Sequence, residues 1–361
     1  MMNLNRNVLK NGLKIIFTVL SIVLYSGMGI AQEADIGIQQ SSNELDSTYI
    51  KVFPKHLTSR LYLSRKFTDL EIEEQKDKNA LSYAPNSSVN LGIGATYNGF
   101  TLNLAYGFAF LNTGQDKGET NYLDLQSHIY GRKYAIDVFA QFYQGLYLSN
   151  TSALNLSFQA PYYLRPDMRV NMLGGSYFKV FNHRRFSYAA TFIQNEYQKK
   201  SAGSLLLGGK LILFNASGDS SLVPNWPVDT LFQSFVGAVN MGGLQFGPGF
   251  GYAHTFVYND RWFLSLSLEL NLMLGPVAYE IEGVGISRDW QLNSGADFRF
   301  AIGYNSDKTY WGFSLVQDQT TMKSINESLF ANFGVGNARF NYVKRFRLNE
   351  KWQRKLNKLP F

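Results

Sequence analysis

From Trp262 onward, Leu264, Leu266, Leu268, Leu270, Leu272 and Leu274 take every second position. Phe263, Ser265, Ser267, Glu269, Asn271 and Met273 fill the positions between them. Successive side chains of a β-strand leave on opposite faces, so the segment shows unbroken leucine on one side and a mostly polar face on the other. Its 13 residues exceed the roughly 9–11 that a tilted strand needs to cross a bilayer. A soluble sandwich could bury the same leucines, so the recurrence of the pattern along the chain has to decide.

It does recur. Val89, Leu91, Ile93, Ala95 and Tyr97 alternate with Asn90, Gly92, Gly94 and Thr96. Asn98-Gly99 then makes a two-residue turn, because both residue types tolerate positive φ. Phe100, Leu102, Leu104, Tyr106, Phe108 and Phe110 alternate with small and polar residues on the return. Further strands are expected near 57–67, 121–132, 134–147, 168–181, 186–197, 203–214, 231–240, 244–257, 262–275, 290–304, 309–318 and 336–346. Asp69, Glu71, Glu73, Glu74, Lys76, Asp77 and Lys78 read as a solvated loop. Short turns near 98, 132, 183, 260 and 306 alternate with longer stretches at 112–120, 148–166, 276–289 and 319–335. Short periplasmic turns and long extracellular loops characterise outer-membrane barrels.

The expected fold is therefore all-β: a transmembrane antiparallel up-and-down β-barrel of about 14 strands, or 12 if the joints around 215–240 fail. Soluble sandwich strands usually run to about 5–6 residues, whereas many segments here pass ten. Residues 1–31 read as a signal peptide, with Arg6, Lys10 and Lys14 before the apolar run Ile15–Ile30 and small residues at Gly29 and Ala31. Residues 32–55 read as a periplasmic extension, 56–346 as the barrel, and 347–361 as a basic amphipathic tail. In that tail Leu348, Trp352, Leu356 and Leu359 fall near one helical face, suited to an anionic leaflet. After residue 31 no apolar run approaches the roughly 18 residues of a membrane helix.

Composition removes several function classes. The chain has no cysteine, which excludes disulfides, thiolate metal sites and cysteine nucleophiles. Removing the three basic residues of the signal leaves 31 basic against 27 acidic side chains, without the concentrated footprint of nucleic-acid binding. Aromatic residues make up 15 % of the chain, as expected where a barrel wall meets lipid headgroups. There is no phosphate loop, no His-Glu-x-x-His and no Gly-x-Ser-x-Gly. Gly247, Gly249 and Gly251 lie inside a strand and read as thin wall, and His254 shares a face with Phe250, Tyr252 and Phe256 in an interfacial girdle. No cofactor, metal or catalytic residue is assigned.

Asp46-Ser47-Thr48-Tyr49-Ile50, Leu57 to Phe67 (LTSRLYLSRKF), Tyr83-Ala84-Pro85-Asn86 running into Leu91–Tyr97, and the closing Arg339–Phe346 resemble the family known as domain of unknown function 4421. The resemblance spans about 46–346 and implies an exported outer-membrane barrel without an assigned activity. No functional residues carry over. The chain departs by continuing past Phe346.

The alternation also nominates a lumen. Asp124, Gln126, His128 and Tyr130 share a face opposite Leu123, Leu125 and Ile129. Asp124 and His128 lie about 13 Å apart along the strand, too far to pair directly. With His128, the candidate lumen-lining residues are Asp137, Arg169, Lys179, Lys210, Glu269, Asp297, Arg299, Arg339 and Arg345. Such charges pair across strands or line a water path, and the excess of bases favours anionic solutes if a path exists. The expected function is a non-enzymatic barrel of the cell outer membrane, either a narrow channel for small solutes or an envelope scaffold. The alternatives are a lipid or peptide hydrolase with a lumen or rim site, and a surface adhesin or platform acting through loops 68–86 and 148–166. Expected partners are outer-membrane lipid, the barrel-assembly machinery and a small solute or envelope partner.

Overall fold

The computed structural model describes residues 45–53, 56–74, 79–97, 100–107, 115–150, 161–224, 232, 236–323, 329–350 and 353. The segment expected to be a signal peptide, 1–31, and most of the expected extension and tail lie outside the described residues.

The strands are β1 (Ile50–Val52), β2 (His56–Glu74), β3 (Ala80–Ala84), β4 (Val89–Tyr97), β5 (Phe100–Tyr106), β6 (Asn121–Tyr130), β7 (Tyr134–Leu148), β8 (Tyr163–Val180), β9 (Glu196–Gln198), β10 (Ala202–Ser217), β11 (Ala238–Tyr258), β12 (Trp262–Ile281), β13 (Gly285–Asn305), β14 (Thr309–Lys323) and β15 (Leu329–Arg347). Ten of them close an antiparallel barrel in the order β2-β3-β7-β8-β10-β11-β12-β13-β14-β15, and β15 returns to β2. That last seam is long, running from Leu329↔Glu74 to Arg347↔His56. Pairing of the terminal strands removes the free edge that an open sheet would carry. Outside the ring, β4 pairs with β2, β5 with β4, and β6 with β7.

The ring is smaller than the expected count for identifiable reasons. Segment 186–197 is not a wall strand. It folds into a short wide helical turn, Ala189–Ile193, followed by β9, which pairs with β1. The end of segment 231–240, from Ala238, and all of 244–257 belong to the single strand β11. The expected loop after residue 68 is the upper part of β2, where Leu70 and Ile72 are buried while Asp69, Glu71 and Glu73 alternate with them. The expected loop 276–289 is a tight turn at Glu282–Val284 between extended β12 and β13. Long strands suit a wall that overshoots the bilayer: the 20 residues of β12 rise about 66 Å, against an apolar band about 25 Å tall.

The leucines of β12 face outward, while Phe263, Ser265, Ser267, Glu269, Asn271 and Met273 are buried inside. At the short-turn end the outer face carries a cluster of Trp262, Tyr304 and Trp311, with Trp262 and Trp311 5.2 Å apart edge to face. This is the girdle of amphipathic rings that marks a membrane interface. His254 belongs to the same rim, 4.2 Å from the Phe256 ring.

The inside is filled at three levels. At the long-connection end, Leu70, Tyr83, Met172, Phe214, Met273, Tyr279 and Phe333 join one buried apolar cluster, to which Leu222, Val223 and Phe232 contribute from the β10–β11 connection. Three charge clusters occupy the middle. At the short-turn end, Phe186 to Gln198 fold inward as a plug. Tyr310 donates to the carbonyl of Thr191 (3.0 Å), Asn305 to that of Ala190 (3.2 Å) and Arg345 Nη2 to that of Gln194 (2.7 Å).

Candidate functional site

Adjacent strands in register bring the central charges together. His128 lies opposite Asp137 in the β6–β7 hairpin, and Glu269 opposite Asp297 between β12 and β13. Arg299, 1 % exposed, links the two walls. Its Nη1 donates to Glu269 and its Nη2 to Asp137, while Nε donates to the Tyr130 hydroxyl (3.3 Å). Asp137 also accepts from Tyr130 (3.2 Å) and pairs with His128 Nδ1 (2.6 Å). On the far side Tyr188, from the plug, donates to Glu269 (3.0 Å) and lies 2.5 Å from the Ser267 hydroxyl.

A second cluster sits alongside. Lys210 Nζ is held between Asp297 (3.0 Å) and Asp318, and Asn271 donates to Asp297 (3.1 Å). A third centres on Asp124, which accepts from Gln141 (2.8 Å) and Tyr143 (2.6 Å), while Lys66 donates to its backbone carbonyl (2.8 Å). Buried charges persist when each is paired and hydrogen-bonded; the first two clusters pair every charge they hold, and Asp124 pairs with Lys66 at 3.6 Å while its Oδ1 accepts no hydrogen bond.

Eight of the ten nominated residues point inward: His128, Asp137, Lys210, Glu269, Asp297, Arg299, Arg339 and Arg345. Arg169 and Lys179 do not. On β8 the inward positions are Met168, Val170, Met172, Gly174, Ser176, Phe178 and Val180, so Arg169 and Lys179 stand on the outer face. The polar-inside rule fails there because this stretch of lumen is packed with hydrocarbon. Asp124 lies on the lumen face that the alternation gives it, Asp318 joins it there unexpectedly, and with them each central cation faces an acid. The excess of bases therefore shrinks to the short-turn end, where Arg60, Arg339 and Arg345 lie.

His128, Asp137, Gln317 and Asp318 border a cavity of about 20 Å³ open to the centre of a water molecule, room for one water. His128 Nε2 is buried there without a hydrogen-bond partner, while Asp137 holds the other ring nitrogen. A histidine oriented by a carboxylate can take a proton from a water. Among the described residues no three His, Asp or Glu side chains converge as metal ligands. The loop tips within 75–78 and 151–160, part of the adhesin alternative, lie outside the described residues.

The family model of Domain of unknown function (DUF4421) matches residues 44–346. The chain belongs to this family. No curated protein sequence matches it. Among solved structures, this DUF4421 member is similar to the outer membrane protease OmpT from Escherichia coli, with TM-score 0.36 and 7 % identity over 82 % of this chain and 98 % of that one. It is also similar to the toluene transporter TodX of Pseudomonas putida, with TM-score 0.22 and 10 % identity over 82 % and 92 % of the two chains. A FadL homologue of Pseudomonas aeruginosa gives TM-score 0.22 and 9 % identity over 81 % and 90 %. At these identities no activity transfers from any of them.

Proposed function

We propose that this DUF4421 member is an outer-membrane barrel with a closed lumen that serves as an envelope scaffold rather than an open channel. One observation carries the reading. The interior is occupied in succession by the apolar cluster, the paired charges around Arg299 and Lys210, and the plug from Phe186 to Gln198. A solute path needs unpaired polar lining and water, whereas these charges are spent on one another. The outward leucines and the Trp262–Trp311 rim favour outer-membrane lipid as the surround, and such a barrel depends on the barrel-assembly machinery for insertion.

Single-channel recording of the refolded protein in a planar bilayer tests this, after a heat-modifiable gel shift has verified folding. No conductance steps are expected. Discrete, reproducible steps of one size would refute a closed lumen and restore the narrow channel.

The His128–Asp137 pair beside the cavity favours a second reading, hydrolysis of a lipid or peptide with His128 as general base. In that case His128→Ala abolishes turnover while leaving the gel shift intact. Equal residual hydrolysis in wild type and variant removes the reading.

A further inference from the structure

Below β3 the described strands leave a split in the barrel wall. β3 is only five residues long and closes the ring through Tyr83↔Leu148 and Ala84↔Tyr147. Towards the short turns, β4 and β5 continue the wall from β2, and β6 continues it from β7. No pairing joins β5 to β6 among the described residues. Both edges face the lipid side. Leu104 and Tyr106 of β5 are 62 % and 69 % exposed, and Leu123, Leu125 and Ile129 of β6 are exposed as well. An unpaired strand edge in hydrocarbon is costly, so something polar has reason to occupy it.

Just inside the split lies Arg60 of β2, and Arg339 stands on the neighbouring β15 opposite Ser64. Arg60 Nη2 donates to Thr96 Oγ1 (2.7 Å) and to the Ile193 carbonyl (2.8 Å), and Nη1 reaches Asn103 Oδ1 on β5 (3.5 Å). Arg339 lies over the Tyr62 ring at 4.6 Å. The Nε of each is buried without a hydrogen-bond partner, and no carboxylate among the described residues answers either. The other buried cations differ. Lys210 and Arg299 each hold two acids, Arg165 holds Asp167 at 2.8 Å, and Arg345 is satisfied by carbonyl oxygens. Arg60 is buried and Arg339 half-buried, and two guanidiniums beside one tyrosine leave a deficit of negative charge.

We propose that Arg60 and Arg339 hold a phosphate group, presented through the β5–β6 split as the headgroup of an anionic membrane lipid. The guanidinium fork matches the oxygens of a phosphate and supplies the donors now unspent. Asn103 stands exposed on the β5 edge and in reach of Arg60, so it marks the entry. The acyl chains then lie along Ile93, Leu104 and Tyr106, already exposed on the outer face. The proposal rests on the membrane reading above but is independent of whether the barrel conducts.

The test uses the full chain refolded into phosphatidylcholine vesicles with and without phosphatidylglycerol. Flotation with pure phosphatidylcholine vesicles reads insertion by itself, so failure of the membrane reading is seen separately. After detergent extraction, wild type is expected to retain phosphatidylglycerol selectively. Arg339→Gln lowers its affinity roughly tenfold or more, the loss of a charge-assisted bond. Arg339→Lys recovers part of the binding, and Arg169→Gln on the outer face leaves it unchanged. A gel shift verifies that each variant is folded. In a parallel arm, inorganic phosphate is added as competitor. No displacement at millimolar concentration supports the lipid source, and full displacement overturns it in favour of free phosphate. Equal retention by wild type and Arg339→Gln, or no preference for phosphatidylglycerol in wild type, overturns the site.

Discussion

Replacing Arg299 by methionine leaves Glu269 and Asp137 buried without their shared cation. The side chains involved are almost wholly enclosed, at 2 %, 0 % and 13 % exposure. Removing one partner of a buried ion pair costs about 3–5 kcal/mol, and methionine fills much of the arginine's volume, so little of that loss is cavity. Against a total stability of roughly 5–15 kcal/mol, this is a large fraction. Urea unfolding in detergent, followed by fluorescence of the five tryptophans, should show the midpoint falling accordingly with an unchanged slope. The triple variant Arg299→Met, Glu269→Gln, Asp137→Asn should recover most of the loss, because neutral groups need no cation. A single-variant loss below about 1 kcal/mol would refute a buried charge cluster and point to water around Arg299.

Three further outcomes follow from the same geometry. Leu268→Arg, placing a cation on the outer face of β12, should cost about 2–4 kcal/mol in lipid vesicles; a change within about 0.5 kcal/mol would mean that this face meets water. Tyr188→Phe removes the bonds to Ser267 and Glu269 and should lower stability by about 2 kcal/mol, with a wild-type midpoint counting against the plug's anchorage. Gly247→Val puts a Cβ against the Leu272 carbonyl of the neighbouring strand, so the heat-modifiable form should be lost, and a normal gel shift would refute that close approach.

Much of this fold is legible in the sequence wherever one face differs sharply from the other. The β12 leucines set that strand's outward face, and the Arg132-Lys133 turn sets the β6–β7 register. That register alone places His128 opposite Asp137, a pairing available from counting outward from the turn. Legibility ends where both faces have the same character. Around Gln317–Thr321 all residues are polar, so Asp318 carries no directional signal. On β8 the lumen is apolar, so the alternation alone puts Arg169 and Lys179 on the wrong face. The segment 186–197 alternates well enough for a strand, yet tertiary contacts from Tyr310, Asn305 and Arg345 draw it into the lumen, and local pattern contains none of them. The split below β3 rests on strand pairing, which is non-local by nature.

A lipid-facing wall around a filled lumen can be tested directly, because the chain has no native cysteine. Single cysteines at 265 to 270 along β12 would be probed in vesicles with a water-soluble thiol reagent and, on labelled protein, with brominated lipid as quencher. Positions 266, 268 and 270 should be quenched by lipid, while 265, 267 and 269 should resist the aqueous reagent until the protein is unfolded. Rapid aqueous labelling at 265, 267 and 269 would show an open, water-filled lumen, and uniform labelling without lipid quenching would contradict the membrane wall itself.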